Sequence, residues 1–292
     1  MTATASAEGA PAAAAPAPAG RRSAPLGRVL LAEFRWVLRR PRNLLALLML
    51  AGLPVLIGAG IALTSGPGPG GGPGLLGSVA GNGLVLPVAS ILLAQSMLLP
   101  LVVAMVAADA IAGEASHGTL RGLLIAPLGR VRLVGVKYAG VLLMVLLSVL
   151  VLAVSGLLTG LIIVGGDGLV TLSGTTLSMG AALGRIALAV LWCAAQMAAI
   201  GAVALALSSL TEHPLVVMAG TMAALIVFGV LGTVPSLEWM RPLLITTDWS
   251  AVIDVLRDPI FTDTLSTGLL RAGCYLVIGL SATVLRMVTR DA

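Results

Sequence analysis

The chain has 292 residues, of which 58% are hydrophobic and 10% charged, and its mean hydropathy is +1.08. Soluble domains average about 25% charged residues, so these values exclude a water-soluble fold. The net charge is +5, but aromatic residues make up only 3%, and we expect the basic residues to contact phospholipid headgroups and no nucleic acid. The two cysteines, Cys193 and Cys274, lie in apolar segments and imply neither a disulfide framework nor a metal site.

The N-terminal residues 1–25 are rich in alanine and proline and lack the aliphatic run of a signal peptide. We expect a disordered cytoplasmic tail there, followed by one membrane domain over residues 26–292. Residues 28–40 have helical periodicity, with Arg28, Arg35 and Arg39 on one face. The other face collects Leu30, Leu31, Phe34, Val37 and Leu38. This pattern predicts an interfacial helix on the inner leaflet, although a simple juxtamembrane anchor would look the same.

Six apolar segments are long enough to cross a bilayer. They are residues 44–64, 84–108, 138–164, 186–207, 215–234 and 268–285. Most of the 17 basic residues lie before the first segment, between the second and third, or after the sixth. Because basic loops remain in the cytoplasm, we expect both termini and residues 113–137 there, with residues 235–267 outside. A bacterial plasma membrane suits this multi-pass arrangement.

Several kinds of chemistry are disfavoured by the sequence. The only lysine, Lys137, follows no P-loop glycine pattern, so a Walker A nucleotide site is excluded. The two histidines, His117 and His213, lack the spacing of a zinc hydrolase. Asp109 and Arg271 lie at segment ends, and the predicted spans have no ionisable residue near their middle, which disfavours an ion-coupled carrier. We therefore expect no enzymatic activity.

Two neutral polar residues, Gln95 and Gln196, do lie within predicted spans. Amide side chains at such positions make hydrogen bonds between helices or line a polar path through the membrane. The sequence leaves both interpretations open.

Residues 113–137 combine a charged turn with a short amphipathic run that ends at Pro127. Leu120, Leu123 and Leu124 recur at helical spacing, and Glu114 suits the start of a helix. A helix of this kind, joined to two spans, offers an apolar surface for docking another protein. A loop helix that places its leucines in lipid would give the same pattern.

The motif G-E-x3-G-T-L-x2-L-L-x2-P-x2-R-x6-K in this loop resembles the cytoplasmic loop of ABC-2 type permeases. It is spelled by Gly113, Glu114, Gly118, Thr119, Leu120, Leu123, Leu124, Pro127, Arg130 and Lys137. The chain is most similar to the bacitracin-resistance and sodium-efflux branch of bacterial ABC exporters. The resemblance implies an all-α membrane protein with six transmembrane helices, an ABC-2 permease fold of the type V exporter kind and an N-terminal interfacial helix.

In that family, the loop forms a coupling helix that docks on a separate cytosolic ABC ATPase subunit, and this ATPase binds ATP and Mg. The resemblance thus implies no cofactor bound directly by this chain. The residues implied in ATPase coupling are Glu114, Gly118, Thr119, Leu120, Leu123, Leu124, Pro127 and Arg130. A second contact would involve Thr211, Glu212 and His213, although a plain tight turn explains these residues equally well. His117 departs from the family, in which a charged residue is frequent at that position.

The external joint, residues 235–267, forms short re-entrant helices over the translocation path in related exporters. Its aromatic residues Trp239, Trp249 and Phe261 are therefore candidates for an external gate, or they anchor the chain among headgroups.

The resemblance implies a permease subunit of an ATP-driven exporter, which pairs with a second permease protomer as a homodimer or heterodimer. Such exporters move amphipathic drugs, peptides or lipid-like compounds out of the cytoplasm. The alternatives are a non-transporting membrane scaffold or sensor, for which no ATPase would copurify, and a secondary carrier, which would need an ion gradient.

Overall fold

The computed structural model describes residues 26–64, 79, 81–116, 129–165 and 168–289, most of which are helical. The α-helices are α1 Leu26–Arg39, α2 Pro41–Thr64, α3 Leu86–Ser96, α4 Leu98–Ala108, α5 Glu114–Ser116, α6 Arg130–Ile163, α7 Met179–Leu210, α8 Pro214–Thr233 and α9 Thr262–Thr289. A π-helical turn covers Asp109–Gly113, and 3₁₀ helices cover Gly83–Val85, Pro235–Leu243 and Trp249–Leu256. Strands β1 Gly168–Val170 and β2 Thr176–Ser178 form an antiparallel hairpin that the sequence had not predicted.

The prediction of an all-α fold with six membrane helices is confirmed. In the described residues, six helices are long and apolar enough to cross a bilayer: Pro41–Leu63, Leu98–Ser116, Arg130–Ile163, Met179–Leu210, Pro214–Thr233 and Thr262–Thr289. Such helices satisfy their backbone hydrogen bonds internally, as the hydrocarbon requires. Because they alternate in direction, the bundle has two ends. The basic end contains Leu26, Arg130, Thr211 and Thr289, and the hairpin end contains the β-hairpin.

The predicted second span, residues 84–108, is not one continuous helix. It is broken at Met97, whose φ of −151° leaves the helical region. Pro100 has no amide proton and so cannot donate the α-helical bond to the Ser96 carbonyl. Among described residues, Met97 N–H donates to Ala94 C=O (3.3 Å) and Leu101 N–H donates to Met97 C=O (3.1 Å) across the break. The second span is therefore two helices, α3 and α4.

The helix that contains the third predicted span begins before residue 138. Helix α6 begins at Arg130 and continues without interruption to Ile163. Leu133, Val134 and Val136 are buried, so the residues assigned to the loop instead extend the helix along the bundle. Lys137 consequently lies inside the packed structure.

Glycines allow α6 to approach the start of the second span closely. A Cβ atom added to Gly83 would lie 2.1 Å from the carbonyl oxygen of Gly160, and one added to Gly156 would lie 2.8 Å from Cα of Pro87. Gly156 and Gly160 have the small-xxx-small spacing that lets membrane helices touch through their backbones. The same principle applies to Gly279 of α9, where an added Cβ would lie 2.7 Å from the backbone of Ala202.

Helix α1 begins two residues earlier than predicted, and its apolar face is divided. Val37 is buried, and Val37 and Glu33 lie against Gly140 of α6. Leu31 and Leu38, expected on the same face, remain exposed beside the exposed arginines. Helix α1 thus packs on the protein with one part of its apolar face and leaves another part exposed.

Two 3₁₀ helices cover the hairpin end; Pro235–Leu243 is the first cap helix and Trp249–Leu256 the second. Arg271 of α9 donates to the carbonyls of Pro242 (2.8 Å) and Leu244 (3.2 Å). Arg185 of α7 donates to the carbonyls of Val255 (3.2 Å) and Arg257 (2.8 Å). Each cap helix therefore ends on a guanidinium group supplied by a membrane helix, which satisfies its last carbonyls.

Candidate coupling site

A buried lysine joins three elements at the basic end. The Lys137 ammonium of α6 donates to both carboxylate oxygens of Glu33 in α1, at 3.1 and 3.0 Å, and also to Glu114 of α5. The exposed fractions of these side chains are 5% for Lys137, 11% for Glu33 and 13% for Glu114. We call Glu33, Glu114 and Lys137 the Lys137 triad.

Burial has the largest effect on the Glu33 carboxyl of the triad. Desolvation raises the pKa of the Glu33 carboxyl above its ordinary value, although Lys137 opposes this shift. Trp36 lies beside the ion pairs, with its ring centroid 5.2 Å from the Lys137 ammonium and 3.5 Å from the Arg40 guanidinium carbon. The aromatic face therefore favours both cations while shielding them from water.

A second group of charges lies at the end of α4. Asp109 is buried and pairs with Arg40 at 2.6 Å and with Arg42. Together with the triad, these contacts bring three carboxylates and three cations to the basic end. They connect α1 and the start of α2 to both sides of the π-helical turn.

The π-helical turn separates Asp109 from Glu114 and is stabilised by Ser208 of α7. The Ser208 hydroxyl accepts a hydrogen bond from the Ala112 amide (2.9 Å) and donates one to the Ala108 carbonyl (3.1 Å). Those two backbone groups would bond to each other in an α-helix. Ser208 therefore lies between them.

Arg130, the first residue of α6, links the loop to the last span. Its guanidinium donates to the carbonyls of Met287 (3.1 Å) and Val288 (2.7 Å) in α9. A cation at these terminal carbonyls is favoured by the helix dipole. Arg130 thus binds the end of α9, a contact that the sequence did not predict.

Only two of the predicted ATPase-coupling residues, Glu114 and Arg130, belong to the described part of the chain. Glu114 and Arg130 lie at the basic end, as described above. The residues outside the described part of the chain are Gly118, Thr119, Leu120, Leu123, Leu124 and Pro127, together with His117. Thr211, Glu212 and His213 form a tight turn between α7 and α8, in which the His213 amide donates to the Thr211 hydroxyl at 3.2 Å.

The three aromatic gate candidates do not lie in equivalent environments. Trp239 of the first cap helix is 70% exposed, whereas Trp249 of the second is 9% exposed. Phe261 is half exposed and lies with its ring centroid 5.2 Å from the Arg257 guanidinium carbon. Trp249 is thus a core residue of the cap, while the other two are available to headgroups.

Sequence reasoning missed Glu33 and the internal role of Lys137. The sequence places Lys137 among the basic residues of a predicted loop and Asp109 at the end of a predicted span. One signal was present, because Glu33 falls on the Val37 side of the α1 helical wheel, away from Arg28, Arg35 and Arg39. A carboxylate there predicts a buried cationic partner, but it does not reveal which residue supplies the cation.

A family model described as ABC-2 family transporter protein matches residues 30–211. The match starts within α1, includes the triad and the Asp109 contacts, and ends at the turn after α7. The chain belongs to the ABC-2 transporter family. No curated protein gives a significant match to the sequence. As an ABC-2 family membrane protein, the chain is a permease component of an ABC transporter, a class that works with a cytosolic ATPase and has no ATPase domain of its own.

Proposed function

We propose that this ABC-2 permease exports an amphipathic drug, peptide or lipid-like compound from the cytoplasm, driven by a separate subunit that binds ATP and Mg. The observation that carries the proposal is the Lys137 triad. It joins α1 and α6 to Glu114, a few residues before the segment that resembles the ATPase-docking loop. A displacement of that segment would therefore act on several helices at once.

The buried charges make this connection stiff. Separating Lys137 from Glu33 or Glu114 would leave an uncompensated charge inside the protein, which costs far more than breaking an exposed ion pair. When the ATPase subunits close on residues 118–127, the ends of the second and third spans would move together with α1. Thr211, Glu212 and His213 would provide the smaller second contact.

We place the buried Asp109 at the cytoplasmic edge of the hydrocarbon, so that the break at Met97 lies inside the membrane and supports a transport path there. Met97 lies twelve residues before Asp109 in sequence, about 18 Å along the helices, and a hydrocarbon core is about 30 Å thick. Ser96, Met97 and Leu98 are exposed on the protomer surface. Broken helices at this depth face protein or a water-filled cavity, and in transporters they mark substrate sites.

The character of the neighbouring side chains favours an amphipathic substrate. Ser96 is exposed at the break and supplies a neutral hydroxyl, whereas the neighbouring Gln95 is fully buried. Around the break the exposed side chains are chiefly aliphatic, such as Leu93 and Leu101. Neutral hydrogen-bonding groups within an aliphatic surface suit compounds that combine apolar and polar parts.

We further propose a bacterial plasma-membrane location with the basic end in the cytoplasm, which places both termini there. Two permease protomers, identical or different, would enclose the path between them. Within the family, the loop motif favours the bacitracin-resistance and sodium-efflux branch. The cap at the hairpin end would then close the external side.

The ATPase contact is tested by purifying the tagged chain from native membranes and identifying copurified subunits. We expect the wild type to retain a Walker-containing ATPase and Leu123→Asp to lose it, because a charge would disrupt an apolar docking surface. Leu243→Asp, at an exposed position of the first cap helix, is the matched control and should retain it. Absence of an ATPase from the wild type, or its undiminished retention by Leu123→Asp, would refute the contact.

Transport is tested in inverted membrane vesicles with a fluorescent amphipathic dye. Export corresponds to dye uptake into these vesicles, and we expect uptake to require ATP and to persist when a protonophore collapses the proton gradient. Uptake that needs the gradient and proceeds without ATP would identify a secondary carrier.

A further inference from the structure

The π-helical turn at Asp109–Gly113 lies directly between two charged contacts of the basic end. Asp109, its first residue, binds Arg40 and Arg42, and Glu114, the residue after it, binds Lys137. A π turn contains one residue more than an α turn, and such turns are frequent at functional sites. The orientation of Glu114 relative to Asp109 therefore depends on this turn.

We infer that Ser208 is a positioning residue that maintains the π-helical turn and thereby directs Glu114 toward Lys137. The Ser208 hydroxyl occupies the space between the Ala108 carbonyl and the Ala112 amide and bonds to both. Without the hydroxyl, both groups would be buried without that partner. They would regain a hydrogen bond by joining each other, which converts the π turn into an α turn.

That conversion would move Glu114. An α turn contains one residue fewer than a π turn. The conversion therefore rotates the residues after the turn by about 100° about the helix axis and shifts them by about 1.5 Å along it. Glu114 would then no longer project toward Lys137, and the triad would lose one of its two carboxylates.

Packing confirms that this region is closely filled. Ala108 and Ala112 are fully buried and pack against Val217 of α8. Ser208 is itself fully buried, so water has no access through its side. The neighbouring Ser209 is also buried, but its hydroxyl donates to Ala206 within its own helix, at 2.7 Å. Only the first of these two serines touches the π turn through its hydroxyl.

Ser208 also lies one helical turn before Thr211. If the ATPase binds the Thr211–His213 turn, movement of that turn would reach Ser208 directly and alter the π turn. This second step rests on the proposed function, whereas the positioning role of Ser208 does not.

The positioning role is tested by the distance between nitroxide labels at Ala115→Cys and Val131→Cys, which are partly exposed and exposed positions on either side of residues 117–128. Cys274 is replaced by serine because it is exposed, and the buried Cys193 is retained. Pulsed electron paramagnetic resonance is recorded on the purified chain without ATPase. We expect Ser208→Ala to shift the mean distance by about 3 Å or more, from the rotation of a helix whose Cα radius is about 2.3 Å.

Two variants serve as controls in the same labelled background. Ser208→Thr retains the hydroxyl and should keep the wild-type distance, and Ser209→Ala removes a buried hydroxyl that does not contact the π turn and should also keep it. An unchanged distance in Ser208→Ala, or an equal shift in Ser209→Ala, would overturn the inference. If Ser208→Ala is not recovered as a folded protein, Ser208→Cys is measured instead and should shift in the same direction, since a thiol donates only weakly.

The ATPase pull-down remains a separate measurement. Loss of the ATPase from the wild type would refute the proposed function while leaving the label distances interpretable.

Discussion

Lys137 is the shared cationic partner of two buried carboxylates at the basic end. It is the only lysine of the chain, it is buried, and it faces two carboxylates from different helices. A buried ion pair is a weak source of stability because desolvation offsets much of the attraction, but removing one partner is costly. The triad is therefore better explained as a device that specifies helix positions than as a source of stability.

Replacement of Lys137 alone should be strongly destabilising. We expect Lys137→Met to lower the free energy of unfolding by about 3–5 kcal/mol, because Glu33 and Glu114 would remain buried near each other without the ammonium group that contacts both. The measurement is thermal unfolding in detergent. The triple variant Lys137→Met, Glu33→Gln, Glu114→Gln should recover most of the loss, and a wild-type melting temperature in Lys137→Met would contradict the buried triad.

Glu33 should make stability depend on pH. Burial raises the pKa of its carboxyl above the ordinary 4.5, so the folded chain holds this proton more tightly than the unfolded chain. Its contribution to stability is then complete below pH 4.5 and is lost as the pH rises through the folded-state pKa. We expect the melting temperature of Glu33→Gln, relative to wild type, to increase from about pH 4 to about pH 7. A difference that stays constant or falls would show that the pKa is not raised.

Among the elements, backbone contact between α6 and the start of the second span is the tightest feature. Gly83 and Gly160 touch through their backbones, and no side chain fits between them. Both residues lie at the hairpin end, at the opposite end of the bundle from the Lys137 triad. The second and third spans are thus held together by charges at one end and by glycine packing at the other, so they can move as one unit.

A methyl group at this contact should be poorly tolerated. We expect Gly160→Ala to destabilise the protein by about 1–3 kcal/mol, because an added Cβ forces the two backbones apart. Gly135→Ala is the matched control in the same helix, since nothing lies within 4 Å of an added Cβ there, and it should be neutral or stabilising by up to about 1 kcal/mol. Thermal unfolding of the two variants measures the difference, and equal effects would contradict the contact.

For the whole molecule, the outer helices and the inner ones have different surroundings. Helices α2, α8 and α9 are largely exposed on the protomer, whereas α7 is largely buried. Apolar exposed faces are compatible with lipid. The exposed break at Ser96–Leu98 differs from them, because its backbone leaves the helical hydrogen-bonding pattern, and on the proposed membrane placement it lies within the hydrocarbon.

Water accessibility should therefore distinguish the break from an ordinary lipid-facing position. In a background with Cys274 replaced by serine, we expect Ser96→Cys to react with a membrane-impermeant thiol reagent, because the break would face an aqueous path. Leu56→Cys, on an exposed face of α2 where the parent leucine is 72% exposed, should not react. Labelling is measured by mass spectrometry, and protection of Ser96→Cys to the level of Leu56→Cys would argue against an aqueous path at the break.

Much of the fold could be predicted because hydropathy and length alone decide whether a segment can cross a bilayer. The six spans, the interfacial helix and the family follow from patterns in contiguous residues, and the structure and the family match agree with them. The boundaries were less predictable. The extension of α6 through residues 130–137 depends on what those residues pack against, and the break at Met97 is indicated only in part by Pro100.

The sequence by itself determined the solvent of the chain, the number of its spans and the family to which it belongs, since these depend on local apolar runs and a contiguous loop motif. The tertiary structure alone decided which charges meet. Glu33 and Lys137 are separated by about a hundred residues, and Ser208 reaches a backbone turn equally far away in sequence. No local pattern specifies such contacts. A buried charge or hydroxyl needs a hydrogen-bond partner, and helix packing decides which residue lies close enough to supply it.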